Sequence, residues 1–415
     1  MKKIKTISCA LIFLLASAFA KAQQAKDINY YLASAISRSP LLNDYNNQAY
    51  NLRLDSLSFL ANYGFYVSGE GSASYAPAVK GWGYDNALSN GHPVTAVLRV
   101  TRPLLGKTNL NTRLAGYYLS IQQVHNQARL SEMQLKKNIT DFYIATYVSQ
   151  EQYKVTQHIL HIFSQEDLVL KKLTQASVFK QTDYLSFKVN QQQNELMLEQ
   201  KRAEWYNNYA QLNYAAGIID TVPKQLLQPS IDTAILPFDE SIYAQAFRAD
   251  SMKLANDAKI IGYEYKPKIN AYADAGYQST LTQTPYKNFG WSTGISVSIP
   301  IYDGKKKQLA LRQNQNALET RTKYLDFARS QYIQQVAQVK SQLGQYYKMV
   351  ATANEQLKYA NTLIEANAKQ LPTGDVKMVD FILSVSNYHS LKLGLLQYQG
   401  TIFTLQNQLH YLMLP

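Results

Sequence analysis

His158 and His161 stand three positions apart, a spacing that puts two imidazoles on one face of a helix where they could hold a divalent metal. No carboxylate or thiol completes such a site, so both are read as surface histidines. Asp303-Gly304-Lys305, with Lys306 and Lys307 behind it, has the lysine of a phosphate loop without the glycines that must precede it. Asp-Gly there makes a turn out of a strand. The lysines then suit anionic lipid headgroups at a membrane edge, or equally well solvent at a helix start. No Ser/His/Asp or Cys/His arrangement, paired-carboxylate motif or cofactor fingerprint occurs. The chain is therefore expected to be no enzyme and to carry no cofactor and no metal.

Composition narrows the class. The 415 residues are 46% apolar and 17% charged, with 32 Tyr against 14 Phe and 3 Trp. Such a chain is too apolar and too aromatic for disorder, and its one cysteine, Cys9, excludes a disulfide framework. Lys2, Lys3 and Lys5 precede a short apolar run from Cys9 to Ala20, and Ala20-Lys21-Ala22 is an A-x-A site. Residues 1–22 are thus expected to be an export signal, with the mature chain starting at Gln23. Losing four lysines lowers Lys+Arg from 42 to 38, which against 29 acids leaves +9. The basic charges are dispersed and the chain is exported, so no nucleic-acid partner is expected. No later stretch is apolar enough for a transmembrane helix.

The sequence repeats at one offset. Asp183-Tyr184-Leu185, Gln211-Leu212-Asn213-Tyr214 and Arg102-Pro103-Leu104 each recur 197 positions later. The counterparts are Asp380-Phe381-Ile382, Gln408-Leu409-His410-Tyr411 and Ile299-Pro300-Ile301. Two copies of one unit are expected, 23–218 and 239–415, joined by a proline-bearing linker at 219–238. Each copy opens with a helix, Ile28 to Leu60 in the first. Two strands follow, about 64–76 and 93–103, then about 268–279 and 290–302. Long helical hairpins come last, about 107–216 and 306–413.

The longest helical stretch, from about Lys307 to Gln370, would measure roughly 100 Å, more than a globular domain needs. Val336, Leu343, Val350, Leu357 and Ile364 form a seven-residue row, with Val339, Tyr346, Ala353 and Ala360 as a second. That is a coiled-coil seam. Gln175-Ala176-Ser177 and Leu371-Pro372-Thr373-Gly374 turn the two hairpins back.

The strands alternate. Val67, Leu98, Ile269, Ala271, Trp291, Ile295 and Val297 fall on apolar faces, while Ser68, Glu70, Arg99, Asp274 and Ser296 fall on polar ones. About ten residues suffice for a tilted transmembrane β-strand. Half-buried strands of a soluble sheet alternate in the same way. Export and the helix lengths favour the membrane. Four strands cannot close a barrel, and lipid tolerates no open edge, so several copies must combine. Three copies make twelve strands around an aqueous lumen, lined by Ser68, Glu70, Arg99, Asp274 and Ser296. Trp291 and Tyr302 suit the interfacial aromatic belt, and Trp82 sits in a loop.

Residues 294–305, Gly-Ile-Ser-Val-Ser-Ile-Pro-Ile-Tyr-Asp-Gly-Lys, resemble the strand-to-helix junction of the TolC-like outer membrane efflux proteins. Residues 373–382, Thr-Gly-Asp-Val-Lys-Met-Val-Asp-Phe-Ile, resemble that family's hairpin tip. The doubled helix–strand–strand–helix–helix order matches over essentially the whole mature chain. The resemblance implies an α+β membrane protein: a homotrimer with a twelve-stranded outer membrane barrel and a periplasmic α-helical tunnel. It also implies partners, an inner-membrane pump and a periplasmic adaptor that would meet the tips at Ser177, Gln181, Thr373 and Gly374. The function implied is a passive exit duct of a tripartite efflux or secretion system.

On the same resemblance, Asp380, with Asp183 as its counterpart, is a candidate for a carboxylate ring at the tunnel entrance. Val376 stands where some members have a latching arginine, and Leu383 where some have a second acid. Helix capping is the other reading of both aspartates. The rival from another class is a periplasmic coiled-coil scaffold whose strands form a soluble sheet. Drugs, metals and proteins all remain open as substrates.

Overall fold

The computed structural model describes residues 26–76, 79–83, 92–233, 236–281 and 284–412. The expected signal and its Cys9 lie outside the described residues. In chain order the elements are α1 (Ile28–Arg38), α2 (Pro40–Ala61), β1 (Tyr66–Ala73), β2 (Val94–Leu104), α3 (Lys107–Gln175) and α4 (Gln181–Ala215). Then come α5 (Ile242–Glu264), β3 (Lys268–Ser279), β4 (Phe289–Ser298), α6 (Lys306–Gln370) and α7 (Met378–Leu412). The chain divides into two compact units, one of residues 43–128 with 243–327, the other of residues up to 42, 129–242 and from 328 on.

Several boundaries differ from the sequence reading; β1 covers Tyr66–Ala73 rather than about 64–76. The first helix is broken at Ser39, because Pro40 forces the residue before it out of the helical region; Ser39 is extended at ψ 114°. Pro40 then opens α2, where its missing N–H costs nothing. The fourth strand closes at Ser298, so Tyr302 lies beyond it.

In the unit that holds the sheet, the four strands are antiparallel in the order β1-β2-β3-β4. Ser68 pairs with Arg99, Arg99 with Asp274, and Asp274 with Ser292. Directly paired residues share a face, so this register aligns the alternation of all four strands. Gly276 is required by close approach, since a Cβ there would lie 2.3 Å from the Ala96 carbonyl oxygen. Val79 and Trp82 close a tight turn around Lys80 and Gly81, both at positive φ.

The other unit is held by layered apolar clusters along its helices. Val339, Leu343, Ala353, Leu357 and Ile364 of α6 are buried, at the spacing of a coiled-coil seam. Between Lys306 and Gln370 there is no proline and one glycine, which lets the helix run 65 residues. Tyr31, Ile139, Tyr143, Leu212, Ala216 and Leu226 form one core. Asn407 of α7 donates to the Lys137 carbonyl at 3.0 Å and to Asp141 Oδ1 at 2.7 Å, tying α7 to α3.

The stretch after α4, read as a linker by composition, is strapped down. Leu226 N–H donates to Gln150 Oε1 at 2.8 Å, and Gln150 Nε2 donates back to the Leu226 carbonyl at 3.2 Å. Tyr143 adds a bond to the Leu227 carbonyl at 2.7 Å. None of the described helices is long and apolar enough to cross a membrane.

Candidate functional site

Period-two alternation puts Ser68 and Glu70 of β1, Arg99 and Thr101 of β2, Asn270 and Asp274 of β3, and Ser292 and Ser296 of β4 on one face of the sheet. Arg99 is central to it. Its Nη1 lies 2.7 Å from Glu70 Oε2 and its Nη2 3.1 Å from Asp274 Oδ2. Ser292 Oγ donates to the other oxygen of Asp274 at 2.7 Å. Polar contacts thus run across all four strands. Val97, 8% exposed, and Pro103 are apolar exceptions on this face. Gly294 opposes Tyr272, and a Cβ there would lie 2.5 Å from the Tyr272 hydroxyl, so the missing side chain leaves room for the ring.

The opposite face is apolar and uncovered. Val67 is 61% exposed, Leu98 64%, Trp291 78% and Ile295 68%. Groups of this kind contribute stability only when removed from water.

The second region is the pair of hairpin tips. Ile159, Phe163, Phe187, Leu371, Met378, Phe381 and Val385 share one buried cluster beneath them. Ser177 ends α3 in the left-handed region at φ 63°. Val178 N–H bonds to the Leu173 carbonyl and Ser177 N–H to that of Thr174, the paired bonds of a Schellman motif. Gly374 turns the other tip at φ 78°, and its Cβ position would lie 3.2 Å from Val178 Cγ1. The two tips therefore lie side by side.

Gln181, Thr373 and Gly374 are exposed there, as is Ser177. Thr373 Oγ1 lies 2.6 Å from Asp375 Oδ2.

Neither aspartate is an N-cap. Asp183 is the third residue of α4, whose N-cap is Lys180. Asp380 is likewise the third residue of α7, with its N–H bonded to the Lys377 carbonyl. In the first turn a carboxylate still favours the helix through its dipole. Asp380 is exposed and Asp183 half-buried; Leu383 is exposed and Val376 half-buried. The structure does not bring Asp183 and Asp380 into contact.

Sequence reasoning missed the Asp167 network. Tyr184 donates to Asp167 Oδ1 and Lys188 to Oδ2, each at 3.0 Å, joining α3 to α4 below the tip. The partners are 17 and 21 residues apart, so nothing local signals them. His158 and His161 have no metal-ligating cluster around them among the described residues.

Residues 245–413 match the family described as Outer membrane efflux protein. No curated protein matches the chain in sequence. Among solved structures it is similar to CusC, described for conformational changes accompanying folding and transmembrane channel formation. Identity there is 11%, over 95% of each chain, at a TM-score of 0.77. The outer membrane protein VceC of Vibrio cholerae matches at 13% identity, over 93% of this chain and 95% of that one, with a TM-score of 0.74. The open state of the MtrE outer membrane channel of Neisseria gonorrhoeae matches at 12% identity, over 93% and 88%, with a TM-score of 0.73. These likenesses give the fold, a four-stranded sheet and long helices, shared with proteins described as an outer membrane protein and as membrane channels. The family match thus covers residues 245–413, and the likeness of fold to these outer membrane proteins extends over 93–95% of the chain.

Proposed function

We propose that three copies of the chain pool their sheets into one twelve-stranded outer membrane barrel, continued by a periplasmic helical tunnel. The assembly is a passive exit duct. An inner-membrane pump supplies the energy, and a periplasmic adaptor docks at Ser177, Gln181, Thr373 and Gly374. The observation that carries this reading is the sheet itself. It has one polar face and one exposed apolar face, and its edge strands β1 and β4 each pair with only one strand among those described. A soluble sheet would cover that apolar face, whereas lipid covers it at no cost but leaves the edges to be paired by another copy. Trp291 stands on the lipid-side face, with Tyr302 beyond the strand end, where an interfacial aromatic belt would lie.

Asp380, threefold in the trimer, forms a carboxylate ring at the tunnel entrance, with Asp183 nearby on the other tip. Such a ring attracts cations at close range.

The test is fractionation followed by mass and conductance measurement. The duct partitions with outer membranes, resists a salt wash, has the detergent-corrected mass of a trimer and conducts in a planar bilayer. A protein released by salt as a water-soluble monomer would instead be the scaffold. Asp380→Asn raises conductance or blunts block by divalent cations; unchanged values of both remove the ring assignment alone.

A further inference from the structure

Arg102 is the one charged residue on the apolar face of the sheet among the described strand residues. Arg99, three positions earlier, lies on the polar face and answers two carboxylates. Arg102 meets none, and its guanidinium lies over the Phe65 ring, 4.9 Å from the centroid. A charge on a lipid-facing surface is costly unless its head reaches the polar headgroup layer. The long arginine stem permits that reach, and an aromatic ring beneath it steadies the head.

The position of Arg102 says which layer. Tyr66 pairs with Thr101, so Phe65 and Arg102 lie one step further, toward the end where β2 leads into α3 and β4 into α6. More cations gather at that end. Lys268 opens β3 on the polar face, and Lys266 just before it sits 4.6 Å from the Tyr263 ring. Lys305, Lys306 and Lys307 follow β4.

None of these lysines forms an ion pair among the described residues. Two acids stand near: Glu264, exposed, closes α5 two positions before Lys266, and Asp303 is engaged with the backbone. It accepts from Lys307 N–H at 2.8 Å and Lys305 N–H at 2.9 Å, and these bonds hold its carboxyl below the usual range. It caps α6 and leaves the three ammonium groups outward. The other end of the sheet shows only Lys80 and Lys287 as lysines among the described residues.

We propose that Arg102, Lys266 and Lys305–Lys307 form a binding surface for anionic phospholipid headgroups in the leaflet on the helix side. The occupant follows from continuity with the apolar face and from charge. A lipid phosphate lies where acyl chains end, which is where these cations are gathered. This inference rests on the duct reading, since it needs the sheet to sit in a bilayer.

The test measures which lipid stays bound. The full chain is reconstituted in phosphatidylcholine vesicles containing phosphatidylglycerol, re-extracted in mild detergent, and its retained lipid is quantified by mass spectrometry. Wild type should retain phosphatidylglycerol roughly three- to tenfold above its share in the vesicles, and high salt should lower the ratio. The combined variant Arg102→Gln, Lys305→Gln, Lys306→Gln, Lys307→Gln should retain the two lipids in the added ratio. Arg102→Lys, which keeps the charge, should retain the enrichment. Conductance of each variant in pure phosphatidylcholine checks that it still folds and inserts. Insertion without enrichment, or equal enrichment in the combined variant, overturns the headgroup surface and leaves the duct standing. Failure of wild type to insert in any lipid overturns both.

Discussion

Arg99 and Asp274 face each other across β2 and β3, with the guanidinium Nη2 3.1 Å from Asp274 Oδ2 and its Nη1 2.7 Å from Glu70. One cation thus balances two carboxylates on the polar face of each chain. Arg99→Gln leaves both carboxylates uncompensated, six in the proposed trimer. Its channel should favour potassium over chloride about twofold more than wild type in a salt-gradient reversal-potential measurement. Stability should change by less than about 1 kcal/mol, because the pair is partly exposed. An unchanged reversal potential would place this face away from the conducting path.

Ser177 holds a left-handed conformation that most helices give to glycine at this point. Ser177→Gly should therefore stabilise the first tip by about 0.5–1 kcal/mol, and Ser177→Val, β-branched at positive φ, should destabilise it by more than that. Hydrogen exchange across residues 170–185 reads both changes. If the adaptor grips the Ser177 hydroxyl, Ser177→Gly is also weaker in a pull-down with the adaptor despite its firmer tip. Equal exchange in all three proteins would mean that the turn carries no strain.

The faces of the strands were legible because alternation is a property of each strand alone. Ser68, Glu70, Arg99, Asp274 and Ser296 could be grouped without knowing their partners, and the register puts them on one face. The Arg99–Asp274 pair could not be read, since 175 residues separate the two and only strand pairing joins them. Both turns were legible, at Gln175-Ala176-Ser177 and at Gly374; that Ser177 takes the left-handed position was not, because a serine carries no left-handed signal. Ser39-Pro40 did carry the signal for a break, and helical periodicity on both sides hid it. The two aspartates looked like caps because each helix starts two residues earlier than the aspartate itself, at Gln181 and Met378.

Gln150 holds Leu226 through both backbone groups inside the helical core. Gln150→Met keeps the volume but leaves a buried N–H and a buried carbonyl without partners. The expected loss is about 2–4 kcal/mol in urea denaturation of the detergent-solubilised protein. Limited proteolysis should then cut between residues 219 and 233 faster than in wild type. A stable variant with unchanged cleavage would mean that the strap is held by Tyr143 and its apolar neighbours instead.

His389 of α7 is buried against α3, its Nε2 3.1 Å from Thr156 Oγ1. The Thr156 hydroxyl donates to the Gln152 carbonyl at 2.9 Å, so it accepts from the imidazole, and Nε2 carries the proton of a neutral ring. Burial, aided by the charge of Lys201, pushes the imidazole down to about 4 from the ordinary 6.5. The unfolded chain therefore takes up a proton below about pH 6.5 that the folded chain refuses until about pH 4. Stability from this site is complete above about pH 6.5 and falls as pH drops toward 4, by at most about 3 kcal/mol per chain. Thermal unfolding compared at pH 7.5 and pH 5 reads it, with His389→Gln as the reference that can bond Thr156 but does not titrate. Wild type should lose more of its melting temperature between the two pH values than His389→Gln does. Equal losses would mean that the ring is already charged in the fold, or that the α3–α7 contact opens before the chain unfolds.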